Sequence, residues 1–459
     1  MNKSELPEEI TALIEKAEAG DVAAQFLLGV KYRNGRDIEQ DYKESIYWIR
    51  KAVRQKHSAA QNCLGLMYDL GQGVKQNKQR ALAYYKKAAD QGYHIAQRNL
   101  GIMYLYGDGV KRDYDKALEL FLKSAKSTNQ KTYFDSIELR DKAERYMLSE
   151  SITAIRDDIL KCLRVDIEKT PTMTHYTSLS AGHKLLFEES PLRLGHINAL
   201  NDPNEGKLLW HYLGHVPTEG KPVFVGCFLP DEDSLNMWRF YSKNLNNDDA
   251  CGCAITYKTD IFFDFNLLNK KSVDTQKSEP KTAFSNTGNS PEESTTFYRV
   301  IYIKDDMNVH GDDEEGTIKN LLTALKDESE AFLNSSSKEE KKQQLSRLLG
   351  PLPFLLKDAD YEAENEHRII VTHLEYGANE IKVFEPTFEN GLPQASPKLY
   401  LELHRINHLA PIKHVTLGPK APHQEMMAPY WHHKLASEFS DQLKTKPDFY
   451  VRASKCAYK

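Results

Sequence analysis

Short clusters of polar and aromatic residues recur through the second part of the sequence, and their types suit a polar ligand. The clusters read HYTS at 175–178, NDPNE at 201–205, MWRFY at 237–241 and ENEHR at 364–368. Carboxylates and amides hold hydroxyl groups, aromatic rings stack on a base, and an arginine pairs with phosphate. The clusters therefore predict a site for a ribose-bearing ligand.

Three of the clusters also fit a plainer interpretation. Glu364, Glu366 and Arg368 alternate, so on a strand they share one face, as a surface ladder of opposite charges also would. Trp238 and Tyr241 stand three apart on a predicted helix and fit a packed core as well as a ligand site. The NDPNE sequence is equally typical of a turn, because an Asn or Asp side chain before proline starts a turn by bonding its own backbone.

The elements that must position these residues begin after Thr170-Pro171. Short β-branched and aromatic runs alternate with Gly, Pro and Asn turns, which predicts an α+β domain with a mixed or antiparallel sheet over residues 171–459. Residues 272–296 are rich in Ser, Thr, Pro and Glu and predict a mobile surface loop. Residues 311–350 predict a helical insertion whose charge runs form a solvated face.

The N-terminal part of the sequence is a repeat array over residues 8–130. Its phase is set by glycines spaced by 36 residues, namely Gly29, Gly65 and Gly101. Each unit reads as a helix, a glycine-rich turn and a second helix, and the small residues let neighbouring helices approach closely. We expect positive φ at the turn glycines, which are Gly71, Gly73, Gly107 and Gly109.

Large aromatic side chains fill the wider gaps of such an array. We therefore expect core positions for the aromatic residues of the repeats, which are Tyr32, Tyr47, Trp48, Tyr84 and Tyr104. Residues 131–170 keep helical periodicity but lose the 36-residue pattern. This stretch is predicted to consist of capping and connecting helices that end at the Thr170-Pro171 boundary.

Composition and charge exclude several classes of protein. The 61 Lys and Arg against 66 Asp and Glu give a formal charge of -5, which disfavours a broad nucleic-acid surface. Acidic residues at the N-terminus and the lack of an apolar run of about 18 residues predict neither a signal peptide nor a membrane span. The six scattered cysteines fit a cytoplasmic location. No second cysteine pair accompanies Cys251 and Cys253, so we expect no metal site there.

Residues 8–127 resemble Sel-one-like repeats, the bacterial relatives of tetratricopeptide arrays. The resemblance rests on AAQFLLGVKYRNG, AAQNCLGLMYDLGQGV and IAQRNLGIMYLYGDGV, which align in phase. It implies a solenoid that binds a protein partner on its concave surface.

The second part, from about 172 to 420, resembles the domain-of-unknown-function family numbered 2971, which bacteria often fuse to repeats. HYTS followed by a Leu-rich helix, with a glutamate late in the domain, is also similar to the layout of ADP-ribosyltransferases. That likeness implies NAD as substrate and cleavage of its nicotinamide–ribose bond, with Glu366 or Glu364 and His175 at the reacting centre. The implied binding residues are Tyr176, Asn201, Asp202, Glu205, Trp238, Tyr241 and Arg368.

Three functions remain open for the second part. The first is an NAD-using transferase or NAD-cleaving effector, as in bacterial toxins or phage-defence proteins, and for it we expect Glu366→Gln to abolish turnover while keeping the fold. The second is a non-catalytic module that binds a nucleotide or a protein. The third is a metal-dependent phosphoesterase built on Asp202, Glu205, Glu364 and Glu366.

Overall fold

A computed structural model gives the fold of the chain as two compact units, residues 8–147 and residues 148–456. The residues that the structure describes are 8–35, 38–199, 206–217, 221–230, 233–234, 238, 249–263, 296–304, 309–310, 316–334, 338–385, 388–389, 392–393, 397–404, 407–443 and 448–456. Among them, no helix is both long enough and apolar enough to cross a membrane.

The first unit is a stack of antiparallel helices. Its helices are α1 (Glu8–Glu18), α2 (Val22–Asn34), α3 (Tyr42–Arg54), α4 (Ser58–Leu70), α5 (Lys78–Ala89), α6 (His94–Tyr106), α7 (Tyr114–Ser124) and α8 (Gln130–Leu148). Side chains of Asp21, Asn77 and Asp113 cap helix N-termini by accepting hydrogen bonds from backbone N–H groups. The predicted positive φ is confirmed at the turn glycines, Gly71, Gly73, Gly107 and Gly109.

Close helix approach depends on the phased glycines. A Cβ atom at Gly101 would lie 2.6 Å from Cε1 of Phe121, and one at Gly65 would lie 2.8 Å from Cδ1 of Tyr85. The aromatic ring of one helix therefore occupies the space that the glycine of its neighbour leaves. The 36-residue period is thus a packing rule as well as a sequence pattern.

The predicted aromatic core is confirmed for Trp48, which is buried, but it is wrong for Tyr47, which is 51% exposed. The two rings meet edge-on at 5.0 Å, but only Trp48 is packed in the core, while Tyr47 covers it from the solvent side. Tyr32, Tyr84 and Tyr104 are half-buried at the edge of the packed clusters.

The second unit is built from short strands and helices. Its helices are α9 (Glu150–Leu163), α10 (Leu179–Phe187), α11 (Leu208–Tyr212), α12 (Thr259–Phe262), α13 (Thr317–Leu333), α14 (Lys338–Leu349), α15 (Gln424–Glu438) and α16 (Ser440–Leu443), with single 3-10 turns at Ile197–Ala199, Leu352–Leu355 and Ala359–Glu364. Its strands are β1 (Thr172–Thr177), β2 (Leu192–His196), β3 (Phe224–Phe228), β4 (Cys253–Lys258), β5 (Tyr298–Arg299), β6 (Ile301–Ile303), β7 (Val309–His310), β8 (Leu356–Asp358), β9 (His367–Val371), β10 (Lys382–Phe384), β11 (Phe388–Glu389), β12 (Leu392–Pro393), β13 (Lys398–Leu403), β14 (Ile412–Leu417) and β15 (Tyr450–Ala453).

Mixed and antiparallel sheets organise this unit, as the sequence predicts. A four-stranded sheet has the order β1-β4-β14-β15, in which only β14 and β15 run parallel. A six-stranded antiparallel sheet has the order β10-β13-β2-β3-β9-β5. A third sheet of order β7-β6-β8 pairs β6 with β8 in parallel, and β11 with β12 forms a separate hairpin.

The largest core of the second unit lies between α9, α13, α14 and the strands. Ile159 and Leu163 of α9 are buried in one cluster with Leu322 of α13 and Leu348 of α14. The predicted helical insertion at 311–350 therefore buries an apolar face beside its charged one. The predicted connecting segment 131–170 is divided, because α8 belongs almost wholly to the first unit while α9 packs in the second. Of the predicted loop 272–296, only Thr296 lies within the described residues.

Candidate functional site

Strand β3 brings together two sheets that carry different predicted site residues. Cys227 on β3 pairs with Arg368 on β9, within the six-stranded sheet. Directly after β3, Leu229 exchanges two backbone hydrogen bonds with Thr174 on β1, of 2.7 and 2.9 Å, and β1 belongs to the four-stranded sheet. The residues around β1 and those around β9, distant in sequence, therefore meet beside β3.

At this junction lies a small cavity of about 40 Å³. The residues that line it are His175, Tyr176, Cys227, Leu229, Glu364 and Glu366. Four of them are predicted site residues, from HYTS and ENEHR. The cavity has room for a few water molecules or a small chemical group.

Glu366 is a buried carboxylate held between two cations. Arg368 donates to both of its oxygens, from Nε at 3.1 Å and from Nη2 at 2.8 Å, and Lys357 Nζ lies 2.8 Å from Oε2. Only 2% of Glu366 is exposed. Burial raises its pKa, but the charges of Arg368 and Lys357 outweigh burial and lower the pKa to about 2. Glu366 is therefore ionised at neutral pH.

The backbone turn before β9 corrects one expectation from the sequence. Glu364 and Glu366 do not share a strand face, because Glu364 ends a 3-10 segment, Asn365 follows with a φ of 45° and Glu366 precedes the strand. Asn tolerates this left-handed conformation, which reverses the chain before β9 starts at His367. The idea of an exposed charge ladder is also wrong, since Glu366 and Arg368 are buried.

Lys357 is a central residue that sequence reasoning missed. It extends from β8, lies 2.8 Å from Oε2 of both Glu364 and Glu366, and is itself buried. Burial lowers its pKa, but the neighbouring carboxylates raise the pKa above the ordinary lysine value. The single lysine in FLLKDAD carries no motif that would have marked it.

His175 points toward β3 from the opposite wall of the cavity. Its Nδ1 lies 3.1 Å from the backbone oxygen of Cys227, and a carbonyl only accepts, so Nδ1 carries the hydrogen and Nε2 is an acceptor. Burial lowers the pKa of His175, which keeps the ring neutral at neutral pH. A neutral imidazole with a free acceptor nitrogen suits a ligand hydroxyl group.

Trp238 and Tyr176 make contacts that stabilise the fold around the cavity. Trp238 is completely buried, its Nε1 donates to Asp233 at 2.7 Å, and its ring meets that of Tyr176 edge-on at 4.8 Å. The hydroxyl oxygen of Tyr176 accepts from the backbone N–H of Ser234 at 2.9 Å. Trp238 thus packs behind Tyr176, which forms part of the cavity wall.

The other predicted binding residues are not brought to the cavity by the described part of the chain. Arg368 uses its guanidinium to bond Glu366 and the backbone oxygen of Phe354, so it neutralises a carboxylate instead of facing the cavity. The remaining predicted site residues lie outside the described residues; they are Asn201, Asp202, Glu205 and Tyr241. Within the described residues, no group of three or more His, Cys, Asp or Glu side chains is placed to hold a metal ion.

Comparisons with known proteins concern the first unit. A family model described as Sel1 repeat matches residues 22–57, 58–93 and 94–129. No curated protein matches the chain.

Several solved structures align with part of the chain, among them the following three. A Sel1 repeat protein from Oxalobacter formigenes is 37% identical, with 28% of this chain and 96% of that one covered and a TM-score of 0.26. A protective antigen of uropathogenic Escherichia coli that displays an SLR fold is 30% identical, with 31% and 36% covered and a TM-score of 0.26. Helicobacter pylori cysteine rich protein B is 20% identical, with 29% and 96% covered and a TM-score of 0.24.

The three matched segments begin at the α2, α4 and α6 helices, so each holds one helix pair of the array. Their 36-residue length equals the spacing of the phased glycines. The repeats imply that the first unit is a protein-interaction module. Residues 22–129 are therefore three Sel1 repeats.

Proposed function

We propose that the Sel1 array binds a protein partner and that the second unit cleaves the nicotinamide–ribose bond of NAD. The products would be free nicotinamide and ADP-ribose, the latter transferred to a target or to water. A role as a bacterial toxin or phage-defence effector, in the cytoplasm, is part of this proposal. NAD is the substrate, and no resident cofactor is required.

One observation carries the proposal. His175 and the two glutamates, predicted as reacting residues from distant segments, line a single cavity. An ionised carboxylate beside the breaking bond stabilises the positive charge that develops on the ribose ring. The neutral His175 can accept a hydrogen bond from a ribose hydroxyl through Nε2.

Between the two glutamates, the contacts favour Glu364 as the catalytic residue. Both oxygens of Glu366 accept hydrogen bonds from Arg368, and Lys357 adds a third contact. Glu364 is bonded through Oε2 to Lys357, which leaves Oε1 for a substrate hydroxyl. Lys357 then acts as a positioning residue that orients Glu364, and Glu366 and Arg368 complete the ion cluster around Lys357.

The size of the cavity sets a condition on this proposal. A cavity of about 40 Å³ is far smaller than the several hundred Å³ typical of sites for drug-sized ligands. NAD binding must therefore widen the space between β1 and the turn before β9. The nicotinamide end is the part of NAD that would enter it.

The non-catalytic binding module is a second candidate. It is favoured because both oxygens of Glu366 already accept hydrogen bonds from buried cations. A carboxylate with every oxygen occupied by buried cations is also what a purely structural ion cluster would show. The phosphoesterase receives less support, because Lys357 and Arg368 already neutralise Glu364 and Glu366. A magnesium ion would have to displace these cations.

The test measures nicotinamide release from NAD by the purified full-length chain, together with transfer of labelled ADP-ribose to protein in a lysate. Glu364→Gln should slow turnover by on the order of a hundred- to a thousandfold, since it removes charge that acts mainly in the transition state. The matched control is Glu375→Gln, a glutamate with one lysine partner, Lys221 at 3.0 Å, outside the cavity.

The control should keep wild-type turnover. Equal rates in Glu364→Gln and the wild type would remove Glu364 from the mechanism. A wild type that neither binds nor consumes NAD would replace the enzyme with the binding module.

A further inference from the structure

Two arginines of the array converge on one tyrosine oxygen. Arg50 Nη2 and Arg80 Nη1 each lie 3.3 Å from the hydroxyl oxygen of Tyr68, and the guanidinium of Arg80 also lies 5.4 Å from the Tyr68 ring centroid. Arg50 is on α3, Arg80 is on α5, and Tyr68 is on α4 between them. Tyr68 is buried, whereas both arginines are exposed.

Neither arginine forms a salt bridge with a carboxylate in the part of the chain that the structure describes. Two positive groups that share one phenol oxygen repel each other, and an anion placed between them would relieve that repulsion. Guanidinium groups bind carboxylates through paired hydrogen bonds. A carboxylate therefore suits the gap between these two guanidinium groups.

The equivalent positions of the other repeats lack this arrangement. Tyr32, one period earlier, faces Glu44, which stands where Arg80 stands in the next repeat. Tyr104, one period later, has Lys116 above its ring at 5.5 Å, but Lys116 is paired with Asp113 at 2.7 Å. Of the three equivalent tyrosines, Tyr68 is thus the one with two cations that lack a carboxylate.

The tyrosine pKa values agree with this contrast. Burial, Glu44 and Asp41 raise the pKa of Tyr32. Burial also raises the pKa of Tyr68, but its hydrogen bonds with Arg50 and Arg80 outweigh burial and lower it. The opposite directions reflect the acidic neighbours of Tyr32 and the two arginines beside Tyr68.

Further cations and aromatic rings extend the surface around this point. Residues three, four and seven apart share one side of a helix, which groups Tyr47, Arg50 and Lys51 on α3 and groups Arg80, Tyr84 and Lys87 on α5. Tyr84 stacks on Tyr68 at 5.7 Å, and Lys51 lies 4.5 Å from the ring centroid of the exposed Tyr47. We call this surface the arginine face; its members are Tyr47, Arg50, Lys51, Arg80, Tyr84 and Lys87.

We propose that the arginine face binds an acidic segment of a partner protein, with one carboxylate of that segment bridging Arg50 and Arg80. This inference rests on the proposed protein-binding function of the array and adds the chemistry and place of the contact. The aromatic rings provide apolar contact for the side chains beside the acidic residue. A nucleic acid fits less well, because the basic area is small and the chain carries a net charge of -5.

The experiment measures fluorescence anisotropy of a short labelled peptide rich in Glu and Asp as the full-length chain is added. A reference peptide carries Gln and Asn in place of the acids. The double variant Arg50→Gln/Arg80→Gln should bind the acidic peptide at least about tenfold more weakly than the wild type. The control is Lys116→Gln/Lys123→Gln, which removes two array cations that already have acidic partners.

The control should stay within about twofold of the wild type. Equal losses in both double variants would overturn the proposal, because general electrostatic attraction would then explain the binding. Equal affinity for the acidic and amide peptides, or tighter binding of a single-stranded oligonucleotide of the same length, would overturn it too.

Selection of a displayed peptide library on the wild-type chain separates this proposal from the broader proposal that the array binds a protein partner. Enrichment of acidic sequences that need Arg50 and Arg80 supports the arginine face. Enrichment of other sequences, indifferent to both arginines, would overturn the arginine face and leave the array as a protein-binding unit. A library that yields no binder would count against both.

Discussion

The two units of this protein are organised by different kinds of interaction. In the array the phased glycines recur after 36 residues, and each receives a large apolar side chain from the next helix, Ile49 at Gly29, Tyr85 at Gly65 and Phe121 at Gly101. In the second unit the cavity depends on a single cluster of buried charges, contributed by β8, β9 and the turn between them. The difference predicts that the glycine contacts of the array respond to added side-chain volume, whereas the cavity responds to changes of charge.

The largest expected effect follows from removal of the charge on Glu366. Glu366→Gln leaves Lys357 and Arg368 buried with one carboxylate fewer, and breaking such a cluster typically costs about 3–5 kcal/mol. This reverses the expectation from sequence that the variant keeps its fold. Urea unfolding of the full-length chain measures the change.

Glu364→Gln is the control for this experiment, because it leaves Glu366 between the two cations. We expect it to cost less than Glu366→Gln, because Glu364 has one cation partner whereas Glu366 has two. Equal stability of the wild type and Glu366→Gln would show that the charge cluster does not hold the second unit together.

The pH dependence of stability should follow from the same cluster. The pKa of folded Glu366, about 2, lies below its ordinary value of 4.5, so its ionisation stabilises the folded state above about pH 4.5. That contribution is lost as the pH falls toward about 2. The stability difference between the wild type and Glu366→Gln should therefore shrink across this range, as measured by urea unfolding at a series of pH values. A difference that stays constant down to pH 2 would contradict the assigned ionisation.

A smaller effect is expected from added volume in the array. Gly101→Ala places a Cβ atom 2.6 Å from Phe121, and overpacking of this kind costs about 1–3 kcal/mol. Thermal unfolding followed by the helical circular dichroism signal measures it. Gly195→Ala in β2 is the control, since a Cβ atom there meets no other atom within 4 Å. A neutral Gly101→Ala would show that helix approach in the array is looser than the structure indicates.

The sequence predicts the first unit well because its information is repeated. The phase of Gly29, Gly65 and Gly101 specifies which residues must be small, and the turn glycines take the expected backbone conformation. What the phase of the glycines does not specify is how deeply a particular aromatic side chain is buried, and for this reason the prediction for Tyr47 was wrong.

The cavity of the second unit could be predicted only in part. HYTS and ENEHR named four of its lining residues, since polar clusters beside strands are unusual enough to be noticed. Lys357 was missed because a single lysine carries no pattern, and its importance arises from the parallel pairing of β8 with β6. The packing partners of α9 could not be predicted either, because an apolar stripe on a helix does not specify which elements pack against it.

The central claim, that this cavity binds NAD, is tested most directly by isothermal titration of NAD into the full-length Glu364→Gln variant. This variant should bind at equilibrium without consuming the ligand, because the lost charge acts mainly in the transition state. We predict a dissociation constant within about threefold of the wild-type value, measured on the wild type at short times. Absence of NAD binding by both proteins would contradict the account.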